Sequence, residues 1–272
     1  MQKFRTSPMA MFWAIAGNRH LTWSLVKREV LGRYRGSMFG ILWSFFNPLL
    51  MLLIYTLVFS VVFKARWVGG TGTKIEFAMV LFSGLMVFNV FAECLNRAPS
   101  LILMNVNYVK KVVFPLEILP VVSLGSALFH GAVSFLVWLI FYFVFFGVPA
   151  VTAWLFPVVL LPMLFLLMGV SWLLASLGVY LRDVSQVVML LTTAMMFLSP
   201  IFYPVSALPV DYQHVMQWNP MTSVIEDVRA VLVQGSLPAW DGYLLRLAGS
   251  VLVAWLGFAW FQKTREGYSD VL

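Results

Sequence analysis

Apolar residues are grouped along this chain in long runs that charged residues rarely interrupt. Residues 41 to 63 form one run of 23 residues without a charge. At about 1.5 Å rise per residue, a helix of that length crosses the roughly 30 Å hydrocarbon layer of a bilayer. Between Glu117 and Arg182, 64 further residues carry no Asp, Glu, Lys or Arg, and a Gly-Val-Pro turn at Gly147 divides them. We therefore predict an all-α polytopic membrane protein, a single domain over residues 1–272.

Six such runs are present, so six transmembrane helices are predicted. Their expected bounds are about 41–63, 77–95, 118–146, 152–181, 184–201 and 243–262. The second run is short in apolar residues, and we expect its helix to continue through Glu93 to Arg97. These two side chains lie four residues apart and are expected to form an ion pair on one helix face.

An amphipathic helix is predicted over residues 20–38, directly before the first run. Its apolar side consists of Trp23, Val26, Val30 and Tyr34, and its opposite side of Arg28, Glu29 and Arg35. Lys27 and Arg33 flank the apolar side, with their stems along it and their charges towards lipid phosphates. A basic membrane anchor and a protein-docking surface are equally good interpretations of this helix.

Three glycines, Gly32, Gly36 and Gly40, recur every four residues at the end of this amphipathic segment. Such spacing is typical of a ridge for close helix packing, and also of a point where the chain turns. Because they lie at the edge of the first span, we predict the turn.

A polar insertion over residues 204–240 precedes the last span. Within it, Ser223 and Glu226 fit a capping box, and Gly235 is expected to end the helix. Apolar residues at 224, 225, 228, 231 and 232 recur at helical spacing. This helix is predicted either to lie near the outer surface or to dip back as a re-entrant element.

His130 lies near the centre of the third span. An ionisable group inside a membrane is a functional candidate. It has no acidic partner on its own helix, however, so we interpret it as a neutral, hydrogen-bonded packing residue rather than a proton carrier.

Composition agrees with the membrane assignment, since 61% of residues are hydrophobic, only 11% are charged and the mean hydropathy is +0.90. The net charge of +7 does not indicate nucleic-acid binding, because the basic residues are distributed unequally between the two sides of the membrane. With six spans, 13 of the 18 basic residues fall on the side of both termini. The positive-inside rule places that side in the cytoplasm. Ala14 and Ala16 imitate a signal cleavage site, but cleavage there would export the following arginines, so we expect this end to be retained.

Catalytic motifs are missing from the sequence. It has no GxxxxGK[ST] phosphate loop, no HExxH, no GxSxG and no His/Cys cluster, and its one cysteine, Cys94, excludes an internal disulfide. The spans also lack the repeated carboxylates of a proton-driven pump. No enzymatic activity and no cofactor are therefore expected in this chain, and any energy source is expected to come from a partner.

Five segments, in order, carry a family resemblance: KREVLGRYRGSMFGILWSFFNPLLMLLIYTLVFSVVF, KKVVFPLEILP, LRDVSQVVMLL, SPIFYPVSALP and WNPMTSVIEDVRAVL. Together they resemble the membrane subunit of ABC-2 type polysaccharide exporters, which move lipid-linked O-antigen, capsule or teichoic acid polymers out of the cytoplasm. The first segment points to the O-antigen branch, in Gram-negative inner membranes.

The resemblance implies roles at matching positions. Residues 20–38 would contact a separate ATPase, which binds ATP and Mg²⁺. Residues 105–111 would be a coupling element seated in that ATPase, and residues 181–186 a second, smaller contact with it. Residues 204–240 would be periplasmic gate helices. The implied ATPase-interface residues are Lys27, Arg28, Glu29, Arg33, Arg35, Asn105, Asn107, Tyr108, Lys110, Lys111, Arg182 and Asp183. Two copies of this chain and two ATPases would form the transporter among membrane lipids, with the polymer path at the dimer interface.

Aromatic side chains are candidates for lining such a path, because sugars stack their apolar C–H faces on aromatic rings. Tyr55, Phe59 and Phe63 share one side of the first span, and Phe202 and Tyr203 follow the fifth. Lipid-facing or packing roles compete with this interpretation. Rival functions are an ABC-2 exporter of a small lipid or drug, a passive channel, and a membrane enzyme that synthesises the glycan.

Overall fold

The computed structural model describes residues 6–58, 73–110 and 114–272, and every regular element within those ranges is helical. The main helices are α1 Pro8–Gly17, α2 Arg19–Arg33, α3 Trp43–Tyr55, α4 Lys74–Arg97, α5 Val106–Lys110, α6 Ile118–Phe146, α7 Phe156–Tyr180, α8 Val184–Leu198, α9 Val210–Gln217, α10 Pro220–Arg229, α11 Trp240–Thr264 and α12 Tyr268–Val271. The all-α class predicted from the sequence is confirmed.

Five segments in the described ranges are long and apolar enough to cross a membrane. They contain α3, α4, α6, α7 and α11, with bounds Gly40–Val58, Lys74–Ser100, Ile118–Phe146, Val151–Tyr180 and Trp240–Val271. Of these, Ile118–Phe146 coincides with the prediction, because charge before it and glycine after it mark both ends. The fifth predicted span, about 184–201, corresponds to α8, whose 15 residues give only about 22 Å of helix before Ser199 ends it.

Helix α4 occupies the centre of the bundle, and 16 of its 24 residues are buried. It packs against α6, α7, α8 and α10. Its predicted continuation through Glu93 to Arg97 is confirmed. In contrast, α3 buries only Ser44 and Leu52, so most of its surface faces away from the rest of the chain.

Helices α7 and α11 meet with their backbones in direct contact. A Cβ atom added at Gly257 would lie 2.1 Å from the carbonyl oxygen of Gly169, and one added at Gly169 would lie 2.4 Å from that of Val253. Only glycine allows this approach, which brings the last span against the fourth. At the C-terminal ends of the two helices, the Tyr180 hydroxyl donates a hydrogen bond to the Thr264 carbonyl, 3.0 Å away.

The amphipathic helix is shorter than predicted, since α2 ends at Arg33 and not at residue 38. The glycines explain this end: Gly36 and Gly40 have φ angles of 86° and 53°, which confirms the predicted turn. Val26 and Val30 are buried against the start of α6, so this face packs on protein. Trp23 is 70% exposed and does not belong to the buried face.

The polar insertion folds back into the bundle. All five apolar positions of its predicted helix, Val224, Ile225, Val228, Val231 and Leu232, are buried. Because α10 packs on α4 and α7, the re-entrant alternative fits better than a surface helix. The predicted capping box is wrong: Ser223 lies inside α10, and the cap is Asn219, whose side chain accepts a hydrogen bond from the Met221 amide at 2.9 Å. Gly235 does end the helix, with φ 67°.

Candidate functional site

One end of the bundle collects most of the described basic residues. It is formed by α2, the end of α4, residues 98–110 and 114–118, the α7–α8 turn and residues 263–272, and we call it the basic end. Direct contacts hold it together: α12 packs on α5 and α7, and the Arg265 guanidinium lies 2.5 Å from a Glu117 carboxylate oxygen. These segments were predicted to lie on one side of the membrane, and the structure brings them to one end.

Two ion pairs join α2 to α4 at this end. The Glu29 carboxylate lies 2.6 Å from the Arg97 guanidinium, and one turn further along α2 the Arg33 guanidinium lies 2.5 Å from the Glu93 carboxylate. The predicted Glu93–Arg97 pair is also present, at 3.8 Å. We call these four residues the charge ladder. Glu29 and Arg33 were expected to face an ATPase, yet both are paired within the chain.

His130 joins the ladder from α6. Its Nδ1 atom lies 2.9 Å from a Glu93 oxygen and 3.2 Å from the Arg33 guanidinium. The prediction of a hydrogen-bonded histidine is therefore met, but its acidic partner comes from another helix. Tyr34 presents its ring edge-on to the imidazole at 6.0 Å, and burial raises the pKa of the Tyr34 hydroxyl above its usual range, so this phenol is neutral.

A polar cavity of about 320 Å³ opens beside the ladder, between α3, α4 and α6. Its polar lining is Arg33, Tyr34, Ser44, Asn47, Tyr55, Asn89, Glu93, His130 and Ser134. The cavity therefore reaches from the basic end along the first span. Asn47, Asn89 and His130 lie on three different helices, so their spacing in the sequence did not show that they line one cavity.

The predicted coupling segment lies against α2. The Arg28 guanidinium donates a hydrogen bond to the Tyr108 hydroxyl at 2.8 Å, and the Tyr108 ring stacks on Phe114 at 4.2 Å. Asn105 is half-buried and donates to the Leu101 carbonyl at 2.8 Å. Asn107 and Lys110 are exposed at this end, whereas Lys111 lies outside the described residues. Arg28 and α5 thus form one continuous surface.

The remaining interface candidates are exposed. Lys27 and Arg35 extend from α2 and from the turn that follows it, and Arg182 and Asp183 form the turn between α7 and α8. Backbone bonds fix this turn, since the Asp183 carbonyl accepts from the Gln186 and Val187 amides. Four predicted interface side chains are therefore available to another protein.

The path-lining candidates fall in two places. Tyr55 is half-buried and lines the polar cavity, while its predicted neighbours Phe59 and Phe63 lie outside the described residues. Phe202 and Tyr203 lie in the turn after α8. There the Tyr203 hydroxyl donates to the Phe197 carbonyl at 3.0 Å, and the Phe202 ring is 6.1 Å from that of Phe197.

A second polar cluster, missed in the sequence, lies on the insertion. Arg229 is only 3% exposed, and its guanidinium donates to the carbonyls of Pro200 and Ile201 at 2.5 and 2.7 Å. Burial lowers the pKa of this guanidinium to about 10. Nearby, Asp227 pairs with Arg246 of α11 at 2.5 Å. A buried arginine in a polar stretch leaves no pattern in the sequence that distinguishes it from an exposed one.

Within the described ranges, no group of three or more His, Cys, Asp or Glu side chains is arranged to hold a metal ion. The geometry instead shows an exposed basic surface at one end, a polar cavity beside it and a central helix that leads away from it.

A model of the ABC-2 type transporter family matches residues 20–233, which include all of these features up to α10. The chain belongs to the ABC-2 type transporter family. The match begins at α2, so the amphipathic helix with its basic surface is part of the family's domain. This ABC-2 protein is a multi-pass membrane protein.

Individual relatives extend the similarity over nearly the whole ABC-2 chain. It is 30% identical to the O-antigen export system permease protein RfbA of Myxococcus xanthus, over 93% of this chain and 95% of the relative. It is 25% identical to the protein of the same name from Klebsiella pneumoniae, over 91% and 93% of the two chains. The polysialic acid transport protein KpsM of Escherichia coli is 25% identical, over 89% and 92%.

Proposed function

We propose that this protein is the transmembrane subunit of an ATP-driven transporter that exports lipid-linked O-antigen polysaccharide across the bacterial inner membrane. The observation that carries the proposal is the similarity to O-antigen permeases along more than nine-tenths of both chains. Export of a capsule polymer is the second candidate, because KpsM is named for polysialic acid transport and is also similar over most of its length.

The energy comes from a separate ATPase, which binds ATP and Mg²⁺. This chain's sequence has no phosphate loop, so hydrolysis is assigned to the partner. The basic end is its docking surface, with Lys27, Arg28 and Arg35 of the α2 region, Asn107 and Lys110 of α5, and Arg182 with Asp183. The basic end and both termini then lie in the cytoplasm, in agreement with the positive-inside rule.

The functional unit is two copies of this chain with two ATPases. Support comes from α3, which buries few of its own residues and leaves an apolar surface for a second copy or for lipid. Tyr55, Phe59, Phe63, Phe202 and Tyr203 line the polymer path in this proposal, through loose stacking on sugar faces. ATP-driven closure of the ATPases displaces α2 and α5 and opens that path.

A pull-down with the candidate ATPase tests the docking surface. Lys27→Glu with Arg28→Glu is expected to reduce recovery of the ATPase by about tenfold or more, since it reverses two exposed charges and removes the bond to Tyr108. Lys74→Glu is the matched control, because it reverses an exposed lysine at the opposite end of α4. Unchanged recovery of the ATPase with the double variant refutes the docking role.

The location of the glycan after deletion of this protein tests the transport function. We expect complete, lipid-linked polymer to accumulate in the cytoplasm and to disappear from the cell surface. Absence of the polymer altogether supports a glycan synthase instead. Unchanged surface polymer contradicts both functions.

A further inference from the structure

The charge ladder has an order that fixes how α2 lies along α4. Residue numbers run in opposite directions in its two pairs: Glu29 faces Arg97, and Arg33 faces Glu93. Both helices carry one acidic and one basic side chain four residues apart, which places each couple on a single face. The charges therefore alternate along both helices.

A slip of one helical turn, about 5.4 Å, places like charges together in either direction. Moved one way, Glu29 faces Glu93; moved the other way, Arg33 faces Arg97. The observed register is thus the one in which both pairs attract, and its neighbours are repulsive. Three of the four side chains are partly buried, with exposed fractions of 17% for Glu93, 24% for Glu29 and 32% for Arg97, so solvent screens them less than charges on an open surface, whereas Arg33 is 52% exposed.

Helix α4 connects this ladder to the distant part of the bundle. Its Asn96 side chain accepts a hydrogen bond from Thr192 of α8 at 2.8 Å. A Cβ atom at Gly84 would lie 3.4 Å from both Ile225 and Arg229 of α10, so α4 and α10 are in close contact. A displacement of α4 would therefore shift α8 and the re-entrant α10, which are in direct contact with it.

We propose that the charge ladder is a register lock, which makes α2 and α4 move as one body so that displacement of α2 by the ATPase reaches α8 and α10. Glu29, Arg33, Glu93 and Arg97 are positioning residues for export, and they act through α4 and not by touching the polymer. Without the lock, α2 slips along α4 and absorbs the movement. This inference rests on the proposed ATP-driven function.

Charge exchanges separate a lock from simple attachment. The outer exchange, Glu29→Arg with Arg97→Glu, keeps both pairs attractive, but every one-turn slip becomes attractive as well. The full exchange adds Arg33→Glu and Glu93→Arg, which restores the alternation and the repulsion on slipping. It also includes His130→Gln, because an arginine at position 93 would otherwise face the imidazole, and His130→Gln alone is its control.

The measurement is polymer exported per ATP hydrolysed, in vesicles that contain the complete transporter. We expect the outer exchange to retain the ATPase in a pull-down but to lower this ratio by about tenfold, and the full exchange to return it to the level of the His130→Gln control. Simple attachment predicts full export from the outer exchange, because both ion pairs between α2 and α4 are kept and only the weaker Glu93–Arg97 pair within α4 is lost. That result overturns the lock, as does failure of the full exchange to recover.

A milder variant guards against misfolding of the exchanged proteins. Glu29→Gln with Arg97→Gln removes the outer pair without introducing repulsion, and the same fall in exported polymer per ATP is expected. A normal ratio in this variant contradicts the lock. If the unaltered chain shows no ATP-dependent export, the proposed function itself has failed, whereas coupled export in both the unaltered and the outer-exchange proteins refutes the lock alone.

Discussion

Replacement of Arg229 by lysine is expected to destabilise the protein more than its replacement by methionine. The guanidinium is buried and donates to two backbone carbonyls, those of Pro200 and Ile201, that follow α8. Methionine leaves both carbonyls without this donor, at about 1–3 kcal/mol each. Burial lowers the pKa of the arginine to about 10, which corresponds to about 3 kcal/mol spent on burying the charge, and methionine recovers this cost. The two lost donors together cost about 2–6 kcal/mol, so the net effect of methionine lies between a gain of about 1 kcal/mol and a loss of about 3 kcal/mol.

Lysine keeps the buried charge but lacks the forked pair of N–H donors with which the guanidinium binds both carbonyls. Its ammonium is more strongly hydrated than a guanidinium and cannot reach both carbonyls in the same geometry. One lost bond of about 1–3 kcal/mol and about 1 kcal/mol of extra desolvation give a loss of about 2–4 kcal/mol. Thermal unfolding of the purified protein should show a Tm lowered on the order of 10 °C for Arg229→Lys and by about half as much for Arg229→Met.

Arg246→Lys is the matched control. Arg246 contacts Asp227 through a single nitrogen and is partly exposed, so lysine can restore the pair and the change should stay below about 1 kcal/mol. The reasoning is refuted if Arg229→Lys unfolds at the same temperature as the unaltered protein, or if the methionine variant is clearly the less stable of the two.

Two further predictions concern the other contacts of α11 and its C-terminal end. Gly257→Ala should separate α7 from α11 and lower the Tm by at least several degrees. Gly249→Ala, on the same helix α11, is its control: a Cβ atom there has no neighbouring atom within 4 Å, so the Tm should stay unchanged or rise slightly. Arg265→Gln should cost about 3–5 kcal/mol by leaving the Glu117 carboxylate buried without its partner, and should speed hydrogen exchange of residues 114–118. Exposed Lys263→Gln is its control; equal exchange in the two variants contradicts the assigned contact.

Much of the architecture could be predicted from the sequence, because each transmembrane helix corresponds to a long run of apolar residues without charge. The bounds of α6 were predictable to the residue, since Glu117 and Gly147 flank them. The end of α2 was not, because the wheel pattern continues to Tyr34 while the glycines after it already turn the chain. The start of α10 was misplaced for a similar reason: Asn219 with Pro220 competes with Ser223 as a cap, and only the structure shows which is used.

The candidate site was predictable as a set of exposed basic segments and not as a network. Arg28, Lys27 and Arg182 lie at one end, as the topology requires. The pairing of Glu29 with Arg97 and the approach of His130 to Glu93 depend on how helices distant in sequence pack. Spacing within one helix, such as Glu93 to Arg97, is visible in a sequence, whereas contacts between helices are not.

The central position of α4 has a consequence for biosynthesis. The ribosome makes α4 before α6, α7, α8 and α10, which surround it in the finished fold. Its Asn96 therefore enters the membrane before Thr192, its later hydrogen-bond partner, has been translated. Glu93 and Arg97 already have charge partners in α2, which is synthesised first. The order of the chain thus neutralises the charges at the end of α4 at insertion, and leaves Asn96 at the same end to gain its hydrogen bond when α8 arrives.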